Sequence, residues 1–265
     1  MSRAIKDIEM TNETAYAAVV GGGKTLSFES IEYTVNTKDD EGKAYDKDIV
    51  RTVSGQVKGG NMLCILGPSG SGKTSLVHII SGRIQSTKNK SHQVNGNVLV
   101  DGSVISSTKF RRMSGLVTQE DIFEPSLTVE ETLMFAAALK LKTDEVSQKA
   151  RVDEIIKSLQ LDSCRQTCIG DDANPYLKGI SGGEKRRVAI AMEILDPTIS
   201  LLMLDEPTSG LDAAAAQMVV NLLRKLANSG MAVLTTLHQP RNSIMDQFDS
   251  VMVLAKGYVI DVIEN

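Results

Sequence analysis

The stretch Gly67-Pro68-Ser69-Gly70-Ser71-Gly72-Lys73-Thr74 constrains the fold more than any other, because it fits G-x-x-x-x-G-K-[ST] and stands between two patterned segments. Met62 to Leu66 ahead of it is an apolar run that reads as a buried strand. Behind it Leu76, Val77, Ile79 and Ile80 repeat as one face of a helix that stops at Gly82. Strand, glycine loop and helix are the context this motif needs. Glycines let the backbone wrap tightly enough to aim successive N–H groups at phosphate oxygens, and the helix N-terminus adds partial positive charge. On this reading Gly67, Pro68, Ser69, Gly70, Ser71, Gly72, Lys73, Thr74 and Ser75 hold phosphates. Lys73 reaches the β- and γ-phosphates, and the Thr74 hydroxyl takes one Mg²⁺ position.

The length of 265 residues admits one large α/β domain or two small ones, and 42% hydrophobic with 23% charged residues is an ordinary globular composition. A net charge of -4 argues against nucleic acid as the main partner, since duplex binding leans on surplus Lys and Arg. Cys64, Cys164 and Cys168 form no C-x-x-C pair, which fits a reduced intracellular compartment; the C-x3-C spacing lacks the His or further Cys of a metal set. The N-terminus has no apolar signal core and no stretch approaches about 18 apolar residues, so a membrane role has to come through a partner or through sequence beyond these residues.

Residues 1–25 read as a mobile leader; Gly23-Lys24-Thr25 imitates the end of a phosphate loop but has Ala18 where the first glycine belongs. Leu26 to Val35 alternates as a strand, Asn36 to Asp48 reads as a loop or loose hairpin, and strand patterning resumes from Ile49 to Val57. Tyr33 is the first candidate to stack on an adenine and Tyr45 the second, although a strand tyrosine is more often a packing residue. Asn95-Gly96 and Asp101-Gly102 signal tight turns in a small antiparallel layer, and His78 and His92 read as structural. Met113 to Thr118 is a short strand ending at Gln119. From about 121 to 196 the pattern is helical, opened by a capping box at Thr128-Val129-Glu130-Glu131 and continued over Val146 to Leu161. Apolar strands return at 199–204 and 232–237 around a helix from Ala213 to Ala227, and two last strands flank Lys256-Gly257. Strands alternating with helices imply a mostly parallel sheet whose C-terminal edge collects ligand groups.

Further motifs narrow the chemistry. Ser181-Gly182-Gly183-Glu184 places Ser181 as N-cap and Glu184 as its capping-box partner, so a helix N-terminus with two glycines in its first turn offers bare N–H groups to an anion. Asp205-Glu206 ends an apolar strand. One carboxylate there suits a hydrated Mg²⁺ and its neighbour suits the attacking water; by position Asp205 takes the metal and Glu206 the water. Gln119 can ligate Mg²⁺ and the water through its carbonyl, His238 can hydrogen-bond the γ-phosphate, and Ser209-Gly210-Leu211-Asp212 can shape a contact with a second copy.

Gly67 to Thr74, Gln119, Ile180 to Glu184, Leu201 to Glu206, Ser209 to Asp212 and His238 together resemble the Walker A, Q-loop, signature, Walker B, D-loop and H-loop of an ATP-binding cassette (ABC) domain. The wording Ile180-Ser181-Gly182-Gly183-Glu184-Lys185-Arg186-Arg187, Asp205-Glu206-Pro207-Thr208-Ser209-Gly210-Leu211-Asp212 and His238-Gln239-Pro240-Arg241 is similar to the G (White) subfamily, Glu184 included, where many cassettes have Gln. The resemblance covers roughly residues 26–262 and implies an α/β P-loop NTPase cassette with a mostly parallel core sheet, an antiparallel β-subdomain and an inserted α-helical signature subdomain. It further implies Mg²⁺-dependent ATP hydrolysis between two head-to-tail copies, in a homodimer or heterodimer of half-transporters. Lys73, Gln119, Glu206 and His238 would be catalytic, Thr74, Gln119 and Asp205 would serve the metal, and Ser181, Gly182, Gly183 and Glu184 would close on the partner's nucleotide. The same resemblance implies export through a C-terminal transmembrane domain and a place on the cytosolic face of a membrane. A soluble cassette of translation or chromosome maintenance is the competing class, but those families resemble paired cassettes or cassettes split by a coiled coil, and this sequence has one cassette and no heptad insertion.

Overall fold

The computed structural model describes residues 23–39, 41–88, 91–171, 174 and 176–264. Most of the expected leader lies outside the described residues. Residues 24–25 are tied down at Asp101, whose carboxylate accepts from Lys24 Nζ at 3.2 Å and from the Thr25 N–H at 2.9 Å.

Two sheets share the molecule. The larger has the order β10-β9-β3-β8-β7-β6: β3 (Met62–Leu66), β6 (Ser114–Val117), β7 (Leu201–Leu204), β8 (Ala232–Leu237) and β9 (Ser250–Ala255) run parallel, and β10 (Tyr258–Glu264) closes one edge antiparallel. Strands β7 and β8 are buried along their whole length, which is why β7 appears in the sequence as an unbroken apolar run and β8 as one broken only by Thr235 and Thr236. The smaller sheet is antiparallel, order β2-β1-β4-β5, from β1 (Leu26–Lys38), β2 (Ala44–Val57), β4 (His92–Val100) and β5 (Ser103–Val104). Helix α1 (Lys73–Ile80) follows the phosphate loop and α2 (Ser107–Met113) is anchored by buried Phe110. A helical unit follows: α3 (Val129–Lys140), α4 (Glu145–Ser158) and α5 (Gly182–Ile194). Helices α6 (Ala213–Asn228) and α7 (Asn242–Met245) complete the set. One cluster of buried apolar side chains joins the helical unit to α6 and one face of the large sheet; a second fills the space between the other face and the antiparallel sheet.

Two local readings of the sequence change and one holds. The segment 36–48 is largely strand: β1 runs to Lys38 and β2 starts at Ala44, because Asn36 donates to Asp46 and Thr34 to Asp48 across the pair, polar bonds that leave no hydrophobic trace. Gly96 sits inside β4 rather than in a turn; with φ 96° and an added Cβ 2.5 Å from the Ser30 carbonyl oxygen, it lets β1 bulge against β4. The Asp101-Gly102 turn forms where expected, with both residues at positive φ.

The entry to α3 carries an ionic cluster. Glu130 accepts from Arg165, from Lys149 Nζ at 3.0 Å and from Gln166, while Arg165 also reaches Asp153. The Arg165 hydrogen bond, then the Lys149 one, holds the Glu130 carboxyl well below its usual range, at about 2. A carboxyl whose pKa falls on folding contributes stability in full above its unfolded value of 4.5 and loses it as pH falls through about 2. Glu130→Gln is therefore expected to lower the melting temperature at pH 6, with the gap to the parent closing as the pH approaches 2. Melting curves across that window check it, and a gap independent of pH would contradict the cluster's role.

Candidate active site

The phosphate loop leaves β3 at the C-terminal edge of the large sheet. Its first residue is pressed against β9: a Cβ on Gly67 would lie 2.1 Å from the Leu254 carbonyl oxygen. Gly70 and Gly72 take φ of 75° and 100°, which turns the loop into α1 without a side-chain cap on that helix. The Gly257 N–H, in the β9–β10 turn, donates to the Ser71 carbonyl at 3.1 Å, so the hairpin braces the loop from outside. Lys73 is buried; its ammonium donates to the carbonyls of Gly67 at 2.9 Å and Pro68 at 3.2 Å and lies 3.8 Å from Glu206 Oε1. The Ser71 hydroxyl is buried with no protein partner among the described residues, a polar atom that a phosphate oxygen would satisfy.

Register delivers the other groups to the same edge. Leu204 pairs with Thr235, so Thr236 stands beside Asp205; its hydroxyl donates to Asp205 Oδ1 at 2.6 Å and accepts from the Glu206 N–H at 2.9 Å. Thr236 therefore orients both acids, a role hidden in an otherwise apolar strand. Its only sequence signal is polarity at the place where the strand meets the acid pair. Glu206 has φ 46°, a strained conformation for a non-glycine residue and of the kind that marks functional positions. Leu66 pairs with Leu237, so His238 emerges next to Gly67; it is exposed and does not line the cleft.

The cleft so formed has a volume of about 560 Å³. Its walls bring together the phosphate loop from Ser69 to Ser75, Gln119 and Glu206, with Lys47 and Ile49 of β2 and Lys256 of the β9–β10 turn, three residues to which sequence patterning attached no function. Arg51 of the same strand donates to the Tyr258 hydroxyl at 2.9 Å and packs on its ring. Tyr33 is not among the walls. The bulge at Ser30 turns it onto the core face, where it is 5% exposed and its hydroxyl shares a 2.7 Å hydrogen bond with His92 Nδ1. Burial raises its pKa and leaves no ring face for a base. Tyr45 is exposed on β2, away from the cleft lining.

Thr74, Gln119 and Asp205 would offer a divalent ion a hydroxyl, an amide carbonyl and one carboxylate, all hard oxygen donors that suit Mg²⁺ completed by phosphate oxygens and water. Among the described residues no group of three or more His, Cys, Asp or Glu side chains could hold a metal by itself. Cys64 and Cys164 are buried, and Cys168 is exposed with its thiol near the Ser126 carbonyl.

The Ser181 motif forms as patterned. Its hydroxyl caps α5 through the Glu184 N–H at 3.3 Å, and Glu184 returns to the Ser181 N–H at 2.8 Å. Burial alone would raise the Glu184 carboxyl; the Ser181 hydrogen bonds and Arg187 outweigh it and lower the pKa. Gly182 lines a second cleft of about 500 Å³ with Ser209, Gly210 and Leu211, and no residue lines both clefts. Asp212 caps α6 through the Ala214 and Ala215 N–H groups, both at 2.9 Å. Between the clefts runs Arg186, which donates to the carbonyls of Thr118 and Gln119.

A parallel sheet delivering a glycine loop, an acid pair and a glutamine to one edge defines a P-loop nucleotide-binding domain. The ABC transporter family model matches residues 50–209, and the chain belongs to this family. It is 40% identical over 238 residues to ABC transporter G family member 1 of Dictyostelium discoideum and 41% identical over 241 residues to ABC transporter G family member 14 of Arabidopsis thaliana. It is 41% identical over 233 residues to ABC transporter ATP-binding protein/permease wht-3 of Caenorhabditis elegans. These alignments cover 88–89% of this chain but 29%, 35% and 36% of the relatives, so the chain spans about a third of their length and corresponds to their ATP-binding domain. Among the described residues no helix is long and apolar enough to cross a membrane.

Proposed function

We propose that this domain binds and hydrolyses ATP with Mg²⁺ at the seam of two head-to-tail copies, and that closing and opening of the pair powers export through a membrane domain, with the cassette on the cytosolic face. The observation that carries the reading is the separation of the two half-sites: phosphate-loop groups and the Ser181 helix open into different clefts of one chain. A second chain in inverted orientation brings one half of each to the other. Lys73 leaves its carbonyl partners for the β- and γ-phosphates, Glu206 accepts the proton of the attacking water, His238 turns in from its exposed position beside Gly67 to hydrogen-bond the γ-phosphate, and Ser181 with the Gly182 and Gly183 N–H groups receives the partner's γ-phosphate. Glu184 serves by holding Ser181 in its cap. Bound Mg²⁺ supplies charge neutralisation at the phosphates, and Thr74, Gln119 and Asp205 are the residues that would hold it.

Such a composite site requires turnover per chain to depend on concentration. ATPase activity of the 265-residue chain is expected to fall as it is diluted toward nanomolar levels, because the site is complete only when two copies meet. Activity per chain that stays constant on dilution would overturn the shared site. The cargo, the identity of the second cassette and the host membrane are properties of the whole transporter.

A further inference from the structure

We propose that Arg186 is a positioning residue that ties the signature helix to Gln119, so that its guanidinium mechanically couples the two half-sites of one chain. Arg186 lies on α5 one turn beyond Gly182 and is 5% exposed. Its Nη1 donates to the Thr118 carbonyl at 2.7 Å and to Asp121 Oδ1 at 3.0 Å, and its Nη2 donates to the Gln119 carbonyl at 2.8 Å. One rigid planar fork thus grips two consecutive backbone carbonyls and a carboxylate, a geometry that a lysine ammonium cannot reproduce.

Arg186 and Asp121 also line the signature-side cleft with Gly182, Ser209 and Gly210, while Gln119 lines the phosphate-side cleft. A ligand or subunit that shifts α5 from the signature side carries the fork with it, and the 118–119 backbone follows. Burying a charged group for stability alone is a poor bargain, since a well-packed apolar replacement is often neutral or better. A need to transmit position accounts for the arrangement. The inference rests on the reading of Gln119 as a metal-side ligand and adds the group that places it.

The test measures nucleotide affinity rather than turnover. A fluorescent N-methylanthraniloyl ATP is titrated into the 265-residue chain, which has no Trp to interfere, in Mg²⁺ and in EDTA. Gln119→Ala is expected to reduce the tightening by Mg²⁺ about 10-fold, and Arg186→Met to reproduce that loss with the EDTA affinity unchanged. The double variant is expected to lose no more than Gln119→Ala alone, because both changes remove one function. Asp121→Ala, which removes one acceptor and leaves the two carbonyl anchors, is expected to lose about threefold and serves where Arg186→Met does not fold. A Mg²⁺ effect that survives in folded Arg186→Met, or in Asp121→Ala when only that folds, overturns the coupling, as does full additivity in the double variant. An unchanged Mg²⁺ effect in Gln119→Ala overturns the ligand reading and the coupling with it.

Discussion

Glu206→Gln is expected to bind ATP as the parent does while turnover falls by about 10²- to 10⁴-fold, the usual contribution of a positioned base. The structure explains why binding should survive. Lys73 donates its hydrogen bonds to the Gly67 and Pro68 carbonyls, and Glu206 is only a 3.8 Å neighbour, so an isosteric amide leaves the phosphate loop assembled. The backbone of Glu206 is fixed independently, by its N–H on Thr236, and the amide inherits the same left-handed conformation. Only the ability to accept a proton disappears. With hydrolysis blocked, the ATP-bound state should accumulate and chromatography should show a nucleotide-dependent dimer. ATPase activity near the parent level would remove Glu206 from the role of base.

What the sequence revealed, and what it hid, follows from burial. Met62 to Leu66, Leu201 to Leu204 and Ala232 to Leu237 are covered on both faces, so hydrophobicity announces them, and the residues that follow them, Gly67, Asp205 and His238, stand at the ligand-bearing edge. The two capping boxes were legible for a similar reason, because their chemistry is local and their spacing fixed. Long-range relations were not. Alternation in β1 defines two faces, but the bulge at Ser30 decides that Tyr33 joins the core, and that depends on Gly96 in another strand. The local pattern places Arg186 on a helix and no more; tertiary structure supplies its three acceptors from the 118–121 segment. Lys47, Ile49 and Lys256 enter the site only because β2 and the β9–β10 turn fold over the loop.

Among the loop glycines, Gly67→Ala is expected to be far more damaging than Gly70→Ala, although Gly70 has the more unusual backbone. At Gly70 an added Cβ meets nothing within 4 Å, and the penalty is the positive φ of 75° alone. That strain is about 1–2 kcal/mol, which for a chain of this size lowers the melting temperature by roughly 4 °C. At Gly67 the new carbon would lie 2.1 Å from the Leu254 carbonyl oxygen and 2.7 Å from Ser71 Oγ. Ser71 can rotate away; the carbonyl belongs to the chain at the end of β9, which pairs with β3 just before the loop, and cannot. The loop must move off β9 by more than an ångström, which breaks its alignment with the Gly257 N–H that braces it. A displacement of about 1 Å in a positioning element costs on the order of 100-fold in rate, so ATP turnover should fall by that factor together with a melting temperature well below that of Gly70→Ala. Calorimetry and ATPase assays of the two variants side by side measure both effects, and equal stability with equal turnover would mean that contact with β9 does not set the loop.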